Sequence, residues 1–260
     1  MAEKKNEDGF VVETVKTVFW ALLIAGMFRT LLFQPFYIPS GSMKSTLLIG
    51  DFLFVNKMVY GYSKYSCPYA ICPISGRIFG SEPELGDVVV FRHPTSGQDY
   101  IKRLIGLPGD KVQFTNGVLF INGVEAKQTP DGQFIETYER QGGQGGYPRC
   151  IGTVGEGGDC AKDRFIETLP NGVEHAVLSF NNGPLDNTGI YTVPAGKYFF
   201  SGDNRDNSTD SRVPVNARGV GFLDRENIIG RAERVVFSSA GRSLLFFWTW
   251  RSDRFFKAIR

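Results

Sequence analysis

Asp87-Val88-Val89-Val90-Phe91 and Tyr100-Ile101-Lys102-Arg103-Leu104-Ile105 decide how this chain folds. Both runs are rich in β-branched, aliphatic and aromatic residues, and both read as strands. Phe52-Leu53-Phe54-Val55 reads the same way, inside a strand-like stretch from 51 to 60. Gly-Asp recurs just ahead of such runs, at Gly50-Asp51, Gly86-Asp87 and Gly109-Asp110. Asn116-Gly117 and Asn122-Gly123 are hairpin signals. Further strands are expected at 190–193, 197–201 and 232–237. No long amphipathic helix interrupts the body, and 31 glycines fit many turns between short strands. The expected fold class is mainly β.

Between 127 and 184 the texture changes. Gly142-Gly143-Gln144-Gly145-Gly146 and residues 155–158 are loop-like, and Cys150 and Cys160 would staple this region. It reads as an inserted, β-rich cap, with the core strands resuming near Gly189. The tail, Leu244-Leu245-Phe246-Phe247-Trp248-Thr249-Trp250, is apolar and aromatic, and Arg251, Arg254, Phe255, Phe256, Lys257 and Arg260 follow. Aromatics beside cations suit a membrane surface. A C-terminal helix docked on the protein fits equally well.

Residues 10–33 are mostly apolar, but their uncharged centre, 17–28, falls short of the roughly 20 residues needed to cross a bilayer. Lys16 and Arg29 stand near the ends of the segment, where long stems reach the interface. Apolar residues continue beyond both, and no small-residue cleavage site follows. An uncleaved anchor in a phospholipid membrane is therefore expected rather than a signal peptide. Lys4, Lys5 and Lys16 place the N-terminus in the cytoplasm and everything after Gln34 outside.

Twenty-nine Lys+Arg against 27 Asp+Glu leave a net charge of +2, and no basic block suggests nucleic acid. The four cysteines form two close pairs, Cys67 with Cys72 and Cys150 with Cys160. An oxidising compartment would make them disulfides, and a reducing one would leave four thiols. Zinc fits poorly, because neither pair has Cys-x-x-Cys spacing. No metal or cofactor is expected. Two histidines, His93 and His175, are few for a Ser-His-Asp mechanism and read as loop or strand residues.

Chemistry enters at Pro39-Ser40-Gly41-Ser42-Met43, a polar turn between the anchor and the first strand. Ser42 could be a nucleophile if a base activates it. With histidine scarce, a neutral lysine is the economical base. Lys102 sits in an apolar strand, sharing a face with Tyr100 and Leu104, where burial would lower its pKa. A solvent-facing lysine on an edge strand is the equal alternative. Arg103 stays protonated, and Lys44, Lys57 and Lys111 lie near turns or strand ends, where water would keep them charged. Gly202-Asp203-Asn204-Arg205-Asp206-Asn207-Ser208-Thr209-Asp210-Ser211-Arg212 is a third dense polar element. It is no calcium loop, because Ser211 stands where glycine is needed and Ala217 where a bidentate Glu is needed.

Four blocks together resemble bacterial type I signal peptidase, or leader peptidase: 36–43, Leu47-Leu48-Ile49-Gly50-Asp51, 99–110 and 202–212. The resemblance implies a membrane-bound serine endopeptidase that cleaves signal peptides from exported preproteins, in a signal-peptidase-like β-barrel or sheet. It implies Ser42 as nucleophile, Lys102 as general base and Ser40 as partner of the Ser42 N–H in the oxyanion hole. Ser208 would orient the lysine, with Gly202, Asp203, Asp210 and Arg212 as support. Small residues at −1 and −3 of the substrate would meet pockets flanked by Phe36, Ile38, Pro39, Met43, Leu47, Tyr100 and Ile101. The implied setting is the bacterial inner membrane, with one pass, a monomer and the catalytic part on the periplasmic side. Lys44-Ser45 departs from the Met/Lys-Pro common in the family, which is expected to loosen the turn. The Cys67–Cys72 segment has no counterpart there. The implied parts are 1–33 (cytoplasmic N-terminus and anchor), 34–126 and 185–240 (core), 127–184 (insertion) and 241–260 (tail). Rival readings are a pilin-type Ser-Lys peptidase, a self-cleaving repressor domain and a non-catalytic membrane adaptor.

Overall fold

The computed structural model describes residues 2–67, 70–142, 145–180, 183–241 and 244–259. Gly143 and Gln144 of the glycine-rich loop and Arg260 of the tail lie outside the described residues. Helix α1 (Ala2–Leu31) leads the chain. Its stretch Gly9–Leu31 has 23 residues and contains an 18-residue window with a mean hydropathy of 1.7, none of which is buried against protein. At about 1.5 Å per residue it is roughly 34 Å long, enough for a hydrocarbon core of about 30 Å. The span is thus longer than its uncharged centre suggests, because a helix tolerates Lys16 and Arg29 near its ends.

The strands follow in order: β1 (Phe33–Tyr37), β2 (Asp51–Asn56), β3 (Val88–Arg92), β4 (Asp99–Gly106), β5 (Lys111–Thr115), β6 (Val118–Ile121) and β7 (Val124–Glu125). Then come β8 (Lys127–Thr137), β9 (Asp159–Thr168), β10 (Glu174–Ser179), β11 (Tyr191–Thr192), β12 (Lys197–Ser201), β13 (Leu223–Asp224) and β14 (Ile228–Ser238). A seven-stranded sheet runs β1-β2-β14-β3-β4-β12-β13, a four-stranded one β11-β5-β6-β7 and a three-stranded one β10-β9-β8. The chain is mainly β, with one N-terminal apolar helix.

Local chemistry explains the turns. Gly50, Gly86 and Gly109 take φ of 94°, 97° and 93°, values that suit glycine at the third position of a type II turn. The aspartate that follows each accepts the N–H three residues before it: Leu48 to Asp51 (2.8 Å), Glu84 to Asp87 (3.0 Å) and Leu107 to Asp110 (2.8 Å). Both Asn-Gly pairs have positive φ at both residues and close the β5–β6 and β6–β7 hairpins. The stretch 51–60 is shorter as a strand than expected. It ends at Asn56, whose side-chain oxygen accepts the Met58 N–H and turns the chain.

β3 is apolar from Val88 to Phe91 because both its faces are covered there. Val88 and Val90 join a core with Leu53, Val55 and Val235, while Val89 and Phe91 join another with Leu104, Phe200 and Ile228. The tail forms short 3₁₀ turns, Phe247–Thr249 and Ser252–Arg254, rather than a docked helix. Leu245 is 84% and Trp248 69% exposed. Arg254 is buried instead, donating to Asp51 through Nε (2.9 Å) and to the Thr46 carbonyl (3.1 Å). Cys67 is bonded to Cys72 and Cys150 to Cys160.

Candidate active site

Residues 38–50 connect β1 to β2 and carry Ser42. Ile38 and Gly50 close the loop, with Ile38 N–H donating to the Asp51 carbonyl (2.9 Å) and Gly50 N–H to the Ile38 carbonyl (3.0 Å). Met43 and Leu47, 1% and 0% exposed, point into the core with Ile38, Leu53 and Val55. They anchor the turn from below and do not line the cleft, which corrects their expected place as pocket walls. Two apolar side chains at this spacing gain more from the core than from a wet groove.

Lys102 comes from β4, paired across the sheet with Val89 of β3. It is 4% exposed, and its Nζ lies 2.6 Å from Ser42 Oγ and 3.1 Å from the Ile101 carbonyl. Burial pushes the Lys102 ammonium down to about 8, Arg212 adds to this, and Asp210 and Asp203 pull the other way.

Next to β4, β12 ends at Ser201, and the polar loop 202–212 begins beside the turn. Gly202 leaves no room for a side chain: a Cβ there would fall 2.3 Å from Ser208 Oγ and 2.6 Å from the Ser42 carbonyl oxygen. Asn204 grips the turn, its N–H donating to the Ser42 carbonyl (3.0 Å) and its Nδ2 to the Gly41 carbonyl (2.8 Å). Sequence reasoning missed this residue, because its partners are backbone carbonyls with no sequence signature. Ser208 Oγ is buried without a hydrogen bond to Lys102, and among the described residues Nζ is bonded by Ser42 and Ile101 instead.

Buried ion pairs fix the loop. Arg103 donates to Asp203 through Nε (2.8 Å) and Nη2 (2.7 Å). Arg212 donates to Asp210 through Nε and Nη2, both at 2.9 Å. Burial alone would raise both carboxyls, but Arg103 and Arg212 outweigh it and hold them below the usual range.

The other lysines sort by their partners. Lys44 and Lys57 are 5% and 1% exposed, which corrects the expectation that both stay in water. Lys57 donates to the Arg29 carbonyl (3.1 Å) at the end of α1 and to the Ser66 carbonyl, and burial takes it down to about 8. Lys44 donates to the Glu136 carboxylate and to Gln141 Oε1 (2.6 Å). The turn is therefore fastened at Lys44, not loosened by its Lys44-Ser45 sequence. Burial lowers the Lys44 pKa while the Glu136 hydrogen bond opposes it. Among the described residues Lys102 has no carboxylate bonded to it, so its neutral form loses less. His93 is no base candidate: Nε2 bonds the Gly219 carbonyl (3.1 Å) and Nδ1 accepts the Ser96 N–H (3.2 Å). His175 is buried beside Glu167, with Nε2 3.3 Å from its carboxylate.

A cleft of about 390 Å³ opens over Ser42 and Lys102. Phe36, Ile38, Pro39 and Ser40 form one wall, Tyr100 and Ile101 another, and Gln141, Tyr147 and Pro148 a third. Ser40 is exposed at its rim. Among the described residues no cluster of three or more His, Cys, Asp or Glu could hold a metal.

Comparison with known proteins follows the same lines. The family described as "Signal peptidase, peptidase S26" matches residues 11–237. Signal peptidase I of Rickettsia typhi is 40% identical over 243 residues, covering 87% of this chain and 82% of that protein. Signal peptidase I of Rickettsia canadensis is 39% identical over 248 residues, covering 91% and 83%. A crystal structure of a signal peptidase I from Enterococcus faecalis, 26% identical, covers 58% of this chain and 97% of that one with a TM-score of 0.30. With the family matched over most of its length and relatives at 40% identity, this chain belongs to the signal peptidases of family S26 and is a serine endopeptidase.

Proposed function

We propose that this chain removes signal peptides from exported preproteins with a Ser42–Lys102 dyad, anchored by α1 in the bacterial inner membrane. Its N-terminus lies in the cytoplasm and its β body on the periplasmic side. The division into anchor, two-part core, 127–184 insertion and tail is part of this reading. The observation that carries it is the 2.6 Å approach of Lys102 Nζ to Ser42 Oγ in a site where lysine is 4% exposed.

The chemistry follows from that contact. Neutral Lys102 takes the Ser42 proton as Oγ attacks the scissile carbonyl, then returns it to the leaving amine. Water, deprotonated by Lys102 Nζ, then attacks the acyl carbon; the ester bond to Ser42 Oγ breaks and Lys102 returns the proton to Oγ as the acid product leaves. The Ser42 N–H and the Ser40 hydroxyl stabilise the oxyanion, each such donor contributing roughly 3 kcal/mol. Ser208, Asp210, Arg212, Asp203 and Gly202 keep the loop beside the lysine in place. Substrate lies extended between β1 and β4, and the cleft floor leaves space for small residues at −1 and −3.

Incubating the detergent-solubilised protein with a secretory preprotein and sequencing the new N-terminus tests this. Cleavage directly after a small residue, with another small residue at −3, is expected. No cleavage, or cleavage at unrelated sites, would overturn the assignment.

A further inference from the structure

We propose that Lys44 is a positioning residue of the peptidase reaction: it clamps the Ser42 turn to the sheet of β8, β9 and β10, while the packing of Gly142, the Tyr138 ring and the Cys150–Cys160 bond hold Tyr147 and Pro148 beside it as a substrate-contacting wall. This rests on the signal-peptidase reading above. Lys44 follows Ser42 by two positions, yet its side chain folds back across the turn. A Cβ at Gly41 would come within 3.0 Å of Lys44 Cε. The ammonium is received by Glu136, at the end of β8, and by Gln141.

Glu136 is itself anchored. Its other carboxylate oxygen accepts from Lys162 of β9, whose side chain is 0% exposed. A second tie lies close by. Gly142 packs so tightly on the turn that a Cβ there would sit 2.5 Å from the Pro39 carbonyl oxygen. Beyond it the chain reaches Tyr147, stacked on Tyr138 at 4.9 Å between ring centroids, and Pro148, and returns to β9 through the Cys150–Cys160 bond. Tyr147 and Pro148 face the cleft.

Burying an ammonium and a carboxylate costs free energy that hydrophobic side chains of like size would avoid. Here the pair joins a part of the chain 92 residues away to the loop carrying the nucleophile. Displacing a nucleophile by about 1 Å costs on the order of a hundredfold in rate, so a lost clamp registers in turnover before it registers in folding.

Lys44→Met is the informative variant. It keeps the apolar stem, and Glu136 keeps Lys162, so the sheet retains its own pairing. Steady-state cleavage of one preprotein should show kcat lowered about tenfold with KM within about twofold of wild type. Lys44→Arg, which can still donate to Glu136, should recover most of the loss. Tyr147→Ala should instead raise KM several-fold.

A Lys44→Met enzyme with wild-type kcat overturns the clamp. So does a loss that only tracks a lower melting temperature and is no smaller in Lys44→Arg. Complete inactivity of Lys44→Met with an unchanged melting temperature would make Lys44 the base and overturn it as well. An unchanged KM in Tyr147→Ala removes the wall. Wild-type protein that cleaves no preprotein speaks against the function itself, not against the clamp.

Discussion

Ser42→Ala and Lys102→Arg will each reduce preprotein cleavage to background, a loss of at least about a thousandfold. Ser42→Ala deletes one oxygen and leaves the Asn204 bond to the Ser42 carbonyl, so folding should be nearly unaffected. Lys102→Arg is the sharper variant. It keeps a cation at the same place in β4, but a guanidinium cannot shed its proton near neutral pH and so cannot accept one from Ser42. Cleavage assays on both variants, with thermal melts to verify folding, measure this. Appreciable activity in Lys102→Arg would mean that another group takes the proton.

The second large effect concerns the loop beside the lysine. Asp210→Ala should destabilise the protein by about 3–5 kcal/mol, because it leaves a buried guanidinium without its carboxylate. Arg212 is 3% exposed and makes two 2.9 Å bonds to Asp210. The Gly202 N–H also donates to Asp210 (3.0 Å), so the change reaches the turn through the same loop. Denaturant melts of the solubilised protein read the shift. Asp210 pulls the Lys102 pKa upward, so in any folded, active fraction the acid limb of the rate profile should move to lower pH. An unchanged denaturation midpoint would show that the pair is dispensable.

Much of the fold was legible because its signals are local. A glycine forced to positive φ and an aspartate that bonds back three residues form the same turn at Gly50, Gly86 and Gly109 whatever surrounds them. The two Asn-Gly hairpins and the doubly buried β3 are similar cases. Ser42 and Lys102 were candidates by residue type alone, and the local pattern left a solvent-facing Lys102 equally open; the resemblance of the four blocks singled the two out.

What was not legible depends on distant packing. Lys44 looks solvated because it borders a turn, but the end of β8 and the residues after it reach it and supply Glu136 and Gln141. Lys57 looks solvated for the same reason, yet the end of α1 lies against it. Met43 and Leu47 look like pocket walls from their closeness in sequence to Ser42, whereas the core beneath the turn takes them. Ser208 is the instructive case among residues named by resemblance. Its hydroxyl rests against Gly202, and no local pattern could have told which neighbour it meets.

The central claim is that Lys102 is uncharged often enough to act as a base. The pH dependence of kcat/KM for preprotein cleavage reads its charge in the free enzyme. The ammonium is pushed down to about 8, and the active form is the neutral one that prevails above this value. The rate should therefore climb about tenfold per pH unit below the midpoint and level off above it, leaving pH 6 about a hundredfold below the plateau. A profile flat from about pH 5 to 9, or one that falls as pH rises through this range, would contradict the account.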